Sequence, residues 1–342
     1  MILVTGGTGF IGSHTTVELL NDGFDVVVAD NLSNSYANVI DRIEKICGRR
    51  PLFEQTDLSI KEQADRFFDK YSDIDAIIHF AASKAVGESV EKPLLYYRNN
   101  LDSLIFILEN MERKGINNIV FSSSCTVYGE PDQLPVTEKS PIKVANSPYG
   151  NTKQISEEIL KDYSRVNDKI RIVALRYFNP IGAHPSALIG ELPIGVPNNL
   201  IPFLTQTVYG IRNELKVFGN DYNTPDGTAI RDYIDVVDLS RAHVVAIQRL
   251  LSGKNKSNYE IFNLGTGTGR SVLEIIKAFE RATGEKVNYR IVGRRAGDVE
   301  KVYADTSYAN SELGWRAVKE LEETLKTAWD WEKYYRKNIE QE

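Results

Sequence analysis

Short, unbroken apolar runs alternate with amphipathic helical patterns through the first half of this sequence, and this alternation restricts the fold more than any other feature. Apolar runs without polar alternation are typical of parallel strands buried on both faces by the intervening helices. The pattern therefore predicts an α/β fold with a doubly wound parallel sheet. The predicted strands are Ile2–Thr5, Asp25–Ala29, Pro51–Gln55, Asp75–Phe80, Asn118–Ser122 and Ile170–Leu175. The predicted helices are Ile11–Asn21, Val39–Cys47, Ile60–Lys70, Pro93–Lys114 and Pro148–Val166.

A second region follows after about Asn179, where closely spaced prolines and glycines interrupt regular structure. Beyond the prolines, helices are predicted at Leu200–Tyr209, Leu239–Leu251, Val272–Thr283 and Leu321–Tyr335. We therefore expect a first domain over residues 1–178 and a second, smaller α/β domain over residues 179–342. The segment near residues 235–251 is a candidate to return and cover the first sheet.

Charge and composition exclude several classes of function. The formal net charge of -6 provides no basic face for nucleic acid. The 2 cysteines and 4 histidines lack the spacing of metal ligands, so no metal site is predicted. No apolar run approaches the roughly 18 residues of a membrane span, and no signal peptide is recognisable. We expect a cytoplasmic protein that binds neither nucleic acid nor membrane.

A glycine-rich turn directly follows the first predicted strand and opens a helix. Gly6, Gly9 and Gly12 form a G-x-x-G-x-x-G pattern, which differs from the commoner G-x-G-x-x-G. Glycines suit a turn where the backbone must approach a pyrophosphate, and the helix N-terminus presents free N–H groups to it. A plain strand–helix turn would explain the glycines alone equally well.

The ends of the next strands favour a dinucleotide site of the Rossmann type. Asp30 ends the second strand, where an acid can bind the ribose hydroxyls of an adenosine and repel a 2′-phosphate. Asp57 ends the third strand, although a helix cap would explain it as well. Phe80, Ala81 and Ala82 end the fourth and leave room for a close backbone approach. The series predicts NAD rather than NADP.

A tyrosine and a lysine four positions apart begin the helix after the fifth strand. Tyr149 and Lys153 lie on one helical face, about 25 residues beyond Ser124. A free phenol has a pKa of about 10, and a neighbouring ammonium and a nicotinamide cation would favour its phenolate. Tyr149 could then remove a hydroxyl proton while hydride leaves the same carbon, with Ser124 holding the substrate oxygen. We predict a site for hydride transfer at a carbinol carbon.

These motifs identify a resemblance to the extended short-chain dehydrogenase/reductase family over nearly the whole chain. Within that family the sequence looks most like the UDP-glucose 4-epimerases. The matching stretches are Gly6–Gly12, Asp30–Asn34, Phe80–Lys84, Ser122–Gly129, Tyr149–Lys153, Arg176–His184, Asn198–Leu200 and Asp226–Tyr233. The resemblance implies that NAD oxidises C4 of a UDP-hexose, that the 4-keto sugar turns over, and that the hydride returns to the other face. UDP-galactose and UDP-glucose are the implied pair.

The resemblance also assigns site residues. Those implied for NAD are Gly6, Gly9, Phe10, Ile11, Gly12, Asp30, Asn31, Leu32, Ser33, Asn34, Ser35, Asp57, Leu58, Phe80, Ala81, Ala82, Ser83, Lys84, Asn99, Ser122, Tyr149, Lys153 and Phe178. Those implied for the UDP-sugar are Lys84, Ser124, Tyr149, Asn179, Asn199, Leu200, Lys216, Val217, Phe218, Arg231, Arg295, Asp298 and Val302. Ser124, Tyr149 and Lys153 are the implied catalytic residues. A solvated surface position is the alternative for each arginine taken singly.

Two further expectations come from the resemblance. Helices Pro93–Lys114 and Pro148–Val166 would pair across a two-fold axis into a four-helix bundle and form a homodimer. Val302, four positions after Asp298, would face the C2 substituent of the sugar. A valine there, where some relatives have tyrosine, would admit UDP-N-acetylglucosamine and UDP-N-acetylgalactosamine.

Other readings remain beside this one. A nucleotide-sugar 4,6-dehydratase carries an Asp-Glu pair after the catalytic hydroxyl, and Cys125-Thr126 here cannot replace it. A UDP-uronate epimerase or decarboxylase stays open, as does a non-catalytic NAD-sensing protein, which would have no reason to keep Ser124, Tyr149 and Lys153 together. A second glycine-rich run, Gly265–Gly269, is interpreted as a structural turn, because no suitable acid follows it.

Overall fold

The computed structural model describes residues 1–295 and 298–338. The strands in these ranges are β1 (Ile2–Thr5), β2 (Val26–Asp30), β3 (Leu52–Gln55), β4 (Ala76–His79), β5 (Asn118–Ser124), β6 (Arg171–Tyr177), β7 (Asn179–Ile181), β8 (Leu215–Phe218), β9 (Ile230–Asp235), β10 (Tyr259–Leu264), β11 (Gly269–Ser271), β12 (Tyr289–Val292) and β13 (Lys301–Val302). The α-helices are α1 (Phe10–Asn21), α2 (Val39–Cys47), α3 (Lys61–Lys70), α4 (Val86–Glu91), α5 (Pro93–Tyr97), α6 (Ser103–Lys114), α7 (Pro148–Val166), α8 (Leu200–Tyr209), α9 (Val236–Leu251), α10 (Val272–Thr283) and α11 (Leu321–Asn338).

A seven-stranded parallel sheet organises the molecule, with the strand order β10-β6-β5-β4-β1-β2-β3. Its strands, apart from the edge strand β3, are largely buried because helices cover both faces. One face packs against α1, α2 and α9, and the other against α3, α6 and α7. The predicted α/β fold with a doubly wound parallel sheet is confirmed. The strand order reverses between β1 and β4, and ligands of such sheets bind at the carboxyl ends beside that reversal.

Two elements from the later part of the chain belong to this first layer. Helix α9 packs against α1, β4, β5 and β6, and its N-cap Asp235 accepts from Val237 N at 2.8 Å. Strand β10 pairs in parallel with β6, from Tyr259↔Ile172 to Leu264↔Tyr177. The return of β10 was not expected from the sequence. A domain boundary at residue 178 stays a proposal, because the chain re-enters the first layer after it.

The rest of the later chain builds a smaller layer at the carboxyl end of the sheet. Strand β9 pairs with β7, β11 and β13, while β8 pairs with β12. Helices α8, α10 and α11 pack together around Leu204, Phe279 and Trp329. This layer holds β9 and β13 over the end of β5, as the mutual packing of Val302 with Val127 and Tyr128 shows.

The helix predicted over Pro93–Lys114 is present without a gap, but it is not α-helical throughout. A π-helical turn at Arg98–Asp102 joins α5 to α6. Such turns insert an extra residue and redirect the side chains beside them. Here the turn carries Asn99 and Asn100, whose amides are described below. Over the described ranges, the structure contains no helix with the length and apolar character needed to cross a membrane.

The turn between β1 and α1 is packed without space for side chains. Gly6 has a φ of 68°, and a Cβ placed there would lie 2.9 Å from Ala81 N. A Cβ at Gly12 would lie 2.2 Å from the carbonyl oxygen of Gly6 and 2.8 Å from the Cα of Gly7. Since all of these obstacles are backbone atoms, they cannot move aside as a flexible side chain would.

The Gly12 contact generates a prediction for stability. Gly12→Ala forces α1 away from the turn, and overpacking of this kind lowers the free energy of unfolding by about 1–3 kcal/mol. Urea denaturation measures the loss. Gly87→Ala is the matched control, because a Cβ at Gly87 in α4 meets no atom within 4 Å. Equal stability of the two variants would show that the turn can shift to admit a methyl group.

Candidate active site

The acid at the end of β2 organises the loop that follows it. The Asp30 carboxylate accepts hydrogen bonds from the Thr8 and Leu32 amides at 3.1 and 2.9 Å, and from the Ser35 hydroxyl at 3.2 Å. Leu32 has a φ of 59°, a left-handed conformation that this contact helps to hold. Asp30 therefore joins the glycine turn to the 31–35 loop. Its carboxylate lies at the end of β2, where the sequence predicts a contact with a ribose hydroxyl.

A small cleft of about 30 Å³ lies beside this loop. Its walls include Phe10 at the start of α1, Ser35, Arg42 on α2 and Trp331 on α11. Gly9 is the N-cap of the 12-residue helix α1, and it has no side chain to accept hydrogen bonds from the first N–H groups of that helix. The cleft thus lies at the N-terminus of α1, and Tyr149 does not line it.

Asp57 and Asn31 meet beyond the third strand. The Asp57 carboxylate accepts from the Asn31 amide at 3.0 Å, and from the Ser59 amide and hydroxyl at 2.9 and 2.6 Å. Burial opposes the charge of Asp57, but these hydrogen bonds lower its pKa overall. Asp57 thus fixes its own turn and also Asn31. The N-cap of α3 is Ile60, so Asp57 does not cap that helix, and its contact with NAD stays a prediction. The neighbouring Leu58 points into the core, which leaves only its main chain for a ligand.

Asn100, on the π-helical turn, is a residue that the sequence analysis missed. Its side chain accepts from the Ser83 amide at 2.8 Å and donates to the Ser83 carbonyl and the Thr152 hydroxyl, both at 3.0 Å. Asn99 donates to the Ser83 hydroxyl at 3.2 Å. The turn therefore ties the loop after β4 to α7, next to Lys153. An Asn-Asn pair within an apolar helix was the available signal.

Ser124, Tyr149 and Lys153 come together at the carboxyl end of β5. Helix α7 begins beside this point because Ser147 caps it, accepting from the Gly150 amide at 3.1 Å. The Lys153 ammonium donates to the Ser122 carbonyl at 2.6 Å and lies 5.9 Å from the centre of the Tyr149 ring. Ser124 caps the short 3₁₀ turn that follows β5, accepting from the Thr126 amide at 3.2 Å. The structure thus brings the three predicted catalytic residues together.

Burial dominates the protonation of this group. It raises the pKa of Tyr149 to about 12, against the opposing effect of a hydrogen bond with Ser124. It lowers the pKa of Lys153 to about 7, against the opposing charge of Glu157. Desolvation of both groups therefore counteracts the effect that the ammonium was expected to have on the phenolate. A phenolate at Tyr149 requires a further positive charge.

Two predicted arginines gather around one carboxylate on the opposite side of the site. Arg295 pairs with Asp298 at 2.8 Å, and its guanidinium lies 5.5 Å from the centre of the Phe218 ring. Arg231, on β9, has its Nη2 4.0 Å from the same carboxylate. Lys216 is exposed, whereas Val217 is buried in the core of the smaller layer, leaving only its main chain. Residues 296–297, inside the predicted motif, lie outside the described residues.

Glu191 is a second residue that the sequence analysis missed. It accepts from the Asn199 amide at 2.6 Å and lies 3.4 Å from the Lys84 ammonium, so it joins two residues predicted to bind the UDP-sugar. Its backbone is held by Trp331, whose Nε1 donates to the Glu191 carbonyl at 3.2 Å. No periodic or spacing pattern marks a single acid in a proline-rich loop.

The glycine-rich run at Gly265–Gly269 binds an internal carboxylate. Asp232, at 0% exposure, accepts from the Thr266 amide and hydroxyl at 2.8 and 2.7 Å, from the Gly267 amide at 3.1 Å, and from the Ala304 amide at 3.2 Å. The loop therefore uses its N–H groups to hold β9 beside β13. Its interpretation as a structural turn is confirmed by these contacts.

The shifted pKa of Lys153 predicts how stability depends on pH. Below about pH 7 the lysine is charged in both the folded and the unfolded protein, so the unfavourable burial of its charge lowers the free energy of unfolding by the full amount. Above about pH 10.5 the lysine is neutral in both states, and this destabilisation is absent. In protein freed of nucleotide, Lys153→Met should exceed the wild type in stability by a few kcal/mol at pH 7, at about 1.4 kcal/mol per pKa unit. The difference should shrink as pH rises to 10.5. Chemical denaturation across this range, with the exposed Lys161→Met as control, measures it; a constant difference contradicts the assignment.

Comparisons with known proteins agree with this geometry. The profile of the GDP-mannose 4,6 dehydratase family matches residues 3–328. A UDP-glucose 4-epimerase from Bacillus subtilis is 51% identical over 97% of this chain and 96% of its own length. The UDP-glucose 4-epimerase of Stenotrophomonas maltophila, solved with NAD and formylated UDP-arabinopyranose, superposes with a TM-score of 0.94 at 46% identity over 98% of both chains.

A third solved structure extends the comparison. The UDP-Glc/GlcNAc 4-epimerase of Campylobacter jejuni has a TM-score of 0.82 and 37% identity, covering 97% of this chain and 98% of that one. Similarity therefore spans both layers of the molecule and both sides of the site. The chain belongs to the extended short-chain dehydrogenase/reductase family, within the group of the UDP-glucose 4-epimerases.

Proposed function

We propose that this protein interconverts UDP-galactose and UDP-glucose by inverting C4 of the hexose through a 4-keto intermediate, with NAD held tightly in the site. The observation that carries the proposal is the convergence of Ser124, Tyr149 and Lys153 at the end of β5, beside the glycine turn. The 51% identity to a UDP-glucose 4-epimerase over 97% of the chain supports the same activity.

The residues around the glycine turn fit NAD. The turn has no room for side chains at Gly6 or Gly12, as a close approach by a pyrophosphate demands. The Asp30 carboxylate is positioned to bind ribose hydroxyls and would repel a 2′-phosphate. We therefore assign the NAD-implied residues given in the sequence analysis to this cofactor. Relatives solved with NAD bound support the assignment.

The chain's own residues then divide the proton chemistry. When bound, oxidised NAD supplies the hydride acceptor and a positive charge beside Tyr149. Tyr149 removes the proton from the C4 hydroxyl and later returns a proton to the C4 oxygen, when the hydride comes back to the opposite face of C4. Ser124 holds the C4 oxygen by a hydrogen bond. Lys153 anchors to the Ser122 carbonyl, and its ammonium stabilises negative charge on the phenol oxygen.

Elimination chemistry does not fit the same site. Cys125 and Thr126 stand where a 4,6-dehydratase needs an acid and a base. Burial raises the pKa of the Cys125 thiol to about 12, so it stays protonated at neutral pH. A threonine hydroxyl is neutral at any physiological pH. A match to a dehydratase family profile therefore reflects shared ancestry of fold, and dehydration is not proposed.

We assign the UDP-sugar to the opposite wall. Guanidinium forks bind diphosphate in bidentate fashion, and Arg231 and Arg295 lie together around Asp298. Asn179, Asn199, Leu200, Lys216, Val217, Phe218 and Lys84 complete the proposed wall. Val302 packs beside Phe178 and Cys125, close to the end of β5, which suits a contact with the sugar ring.

A homodimer through α5–α6 and α7 is also proposed. Leu104 and Leu108 of α6 lie in the core of the monomer. Leu94, Leu95 and Ile105 remain exposed at 76%, 50% and 38%. These exposed apolar residues are the ones that a second copy of the bundle helices would cover.

Replacement of the proposed acid–base group tests the mechanism. Tyr149→Phe should lower the rate of conversion of UDP-galactose to UDP-glucose by about 10²–10⁴-fold, since general acid–base catalysis typically contributes that much. Denaturation should still release near-stoichiometric NAD from the variant. Tyr163→Phe, further along α7, removes a hydroxyl whose partners are Asn167 at the helix end and Glu112 on α6, and it serves as control. Activity of Tyr149→Phe within a few-fold of wild type would assign the proton transfer elsewhere.

Substrate breadth is a separate expectation. We expect the wild type to interconvert UDP-N-acetylglucosamine and UDP-N-acetylgalactosamine as well. Val302→Tyr fills the space proposed for the acetamido group and should lower kcat/KM for the acetylated pair by roughly 5- to 150-fold, equivalent to about 1–3 kcal/mol. The plain hexose pair, measured in parallel, controls for general damage. A wild type that rejects the acetylated pair would end this proposal.

The mass in solution tests the assembly. Light scattering should return twice the monomer mass of 38.5 kDa. Ile105→Glu places a charge on the exposed face of α6 and should shift the distribution toward monomer. A wild type that stays monomeric at micromolar concentration contradicts the bundle.

A further inference from the structure

A buried ion pair lies directly behind the catalytic lysine. Arg176 on β6 and Glu157 on α7 have side chains only 2% and 5% exposed. The pair is bidentate, with Arg176 Nε donating to Glu157 Oε1 at 2.9 Å and Nη2 donating to Oε2 at 2.5 Å. Glu157 follows Lys153 by one helical turn and shares its face of α7. No role in the proposed chemistry has so far been given to either residue.

The pair is connected to three other segments of the site. Ser123, between the two serines already described, donates to Glu157 Oε1 at 2.5 Å. Arg176 Nη1 donates to the Tyr128 hydroxyl at 3.0 Å, and Tyr128 donates to Asn263 Oδ1 on β10 at 2.6 Å. The network therefore joins α7 to β5, β6, β10 and the 3₁₀ turn that follows Ser124.

Stability alone does not explain a charged pair at this position. Removing two charges from water is unfavourable, and well-packed apolar residues of similar volume are often at least as stabilising as a buried ion pair. The pair instead fixes orientation, because a bidentate contact allows only one relative placement of the guanidinium and the carboxylate. That placement sets how α7 sits along the end of β5.

We propose that the Glu157–Arg176 pair is a positioning pair for catalysis: it fixes α7 against β5 so that Lys153 meets the Ser122 carbonyl and Tyr149 meets Ser124. The proposal rests on the proposed function, since it assigns a task to residues around that site. Displacement of α7 by a fraction of an ångström would separate Tyr149 from the reacting hydroxyl. The negative charge of Glu157 also favours the ammonium of Lys153, which reinforces the effect of geometry.

The chain contains a matched control. Arg249 on α9 and Glu260 on β10 form a second buried bidentate pair, with side chains 8% and 4% exposed and N–O distances of 2.8 and 2.9 Å. It borders the same sheet but touches none of the catalytic residues. Glu260→Gln therefore removes a buried carboxylate that has no hydrogen bond to α7, and Arg249 keeps a second partner, Glu312, at 2.6 Å.

The experiment compares Glu157→Gln, Ser123→Ala and Glu260→Gln in the full-length holoenzyme. Glu157→Gln should lower kcat for UDP-galactose by roughly 10- to 100-fold, the scale of a small misplacement of reacting groups, while KM and NAD content stay within about two-fold. Ser123→Ala should lower kcat in the same sense by a smaller factor, and it keeps the ion pair in case Glu157→Gln does not fold. Glu260→Gln should lose thermal stability with kcat unchanged.

Amide hydrogen exchange over residues 148–160 provides a readout that needs no activity. Glu157→Gln should accelerate exchange there, and Glu260→Gln should not. Equal losses of kcat in the Glu157 and Glu260 variants, or exchange and kcat unchanged in both Glu157→Gln and Ser123→Ala, would overturn the positioning role. A wild type inactive on UDP-galactose would refute the proposed function alone, because the exchange comparison still decides whether the pair seats α7.

Discussion

The parallel pairing of β5 between β4 and β6 is the interaction on which the site depends. Its register sets Ser122 opposite Leu175, Ser123 opposite Arg176 and Ser124 opposite Tyr177. One strand thereby supplies a carbonyl to the lysine, a hydroxyl to the buried glutamate and a hydroxyl to the proposed reaction centre. A slip of one residue would turn each of these side chains to the other face of the sheet. The placement of the proposed catalytic groups therefore depends on the register of the sheet as well as on the identity of each residue.

Local patterns predicted the features that local physics determines. Each of these features depends on residues that are close in sequence, and it could therefore be predicted. They are the turn at Gly6 and Gly12, the strand-end acid Asp30, and the spacing of Tyr149 and Lys153. The sheet and most helix bounds follow from apolar periodicity for the same reason. Partners across the chain could not be found in this way. The roles of three residues depend on contacts with segments that are distant in sequence, namely Asn100, Glu157 and Glu191.

Burial was the second quantity that the sequence could not supply. Leu58 and Val217 were expected to line ligands, yet their side chains face hydrophobic cores. The sequence shows that Tyr149 lies near a lysine, but it cannot show the desolvation of both groups, which opposes the charged form of each. The two glycine-rich turns illustrate the same limit. Both offer backbone N–H groups after a strand, but the structure shows that one of them already holds Asp232 from within the chain.

The late position of β10 in the chain affects how the protein folds during its synthesis. It covers the edge of β6, but it begins at Tyr259, about 80 residues after β6 ends at Tyr177. At a synthesis rate of roughly 5–20 residues per second, β6 leaves the ribosome some 4–16 s before its partner does. During that interval the nascent sheet presents an unpaired strand, the kind of edge that recruits other chains. Slow translation or a stall within the proline-rich loops would prolong this exposure, and any fragment ending before residue 259 would retain it permanently.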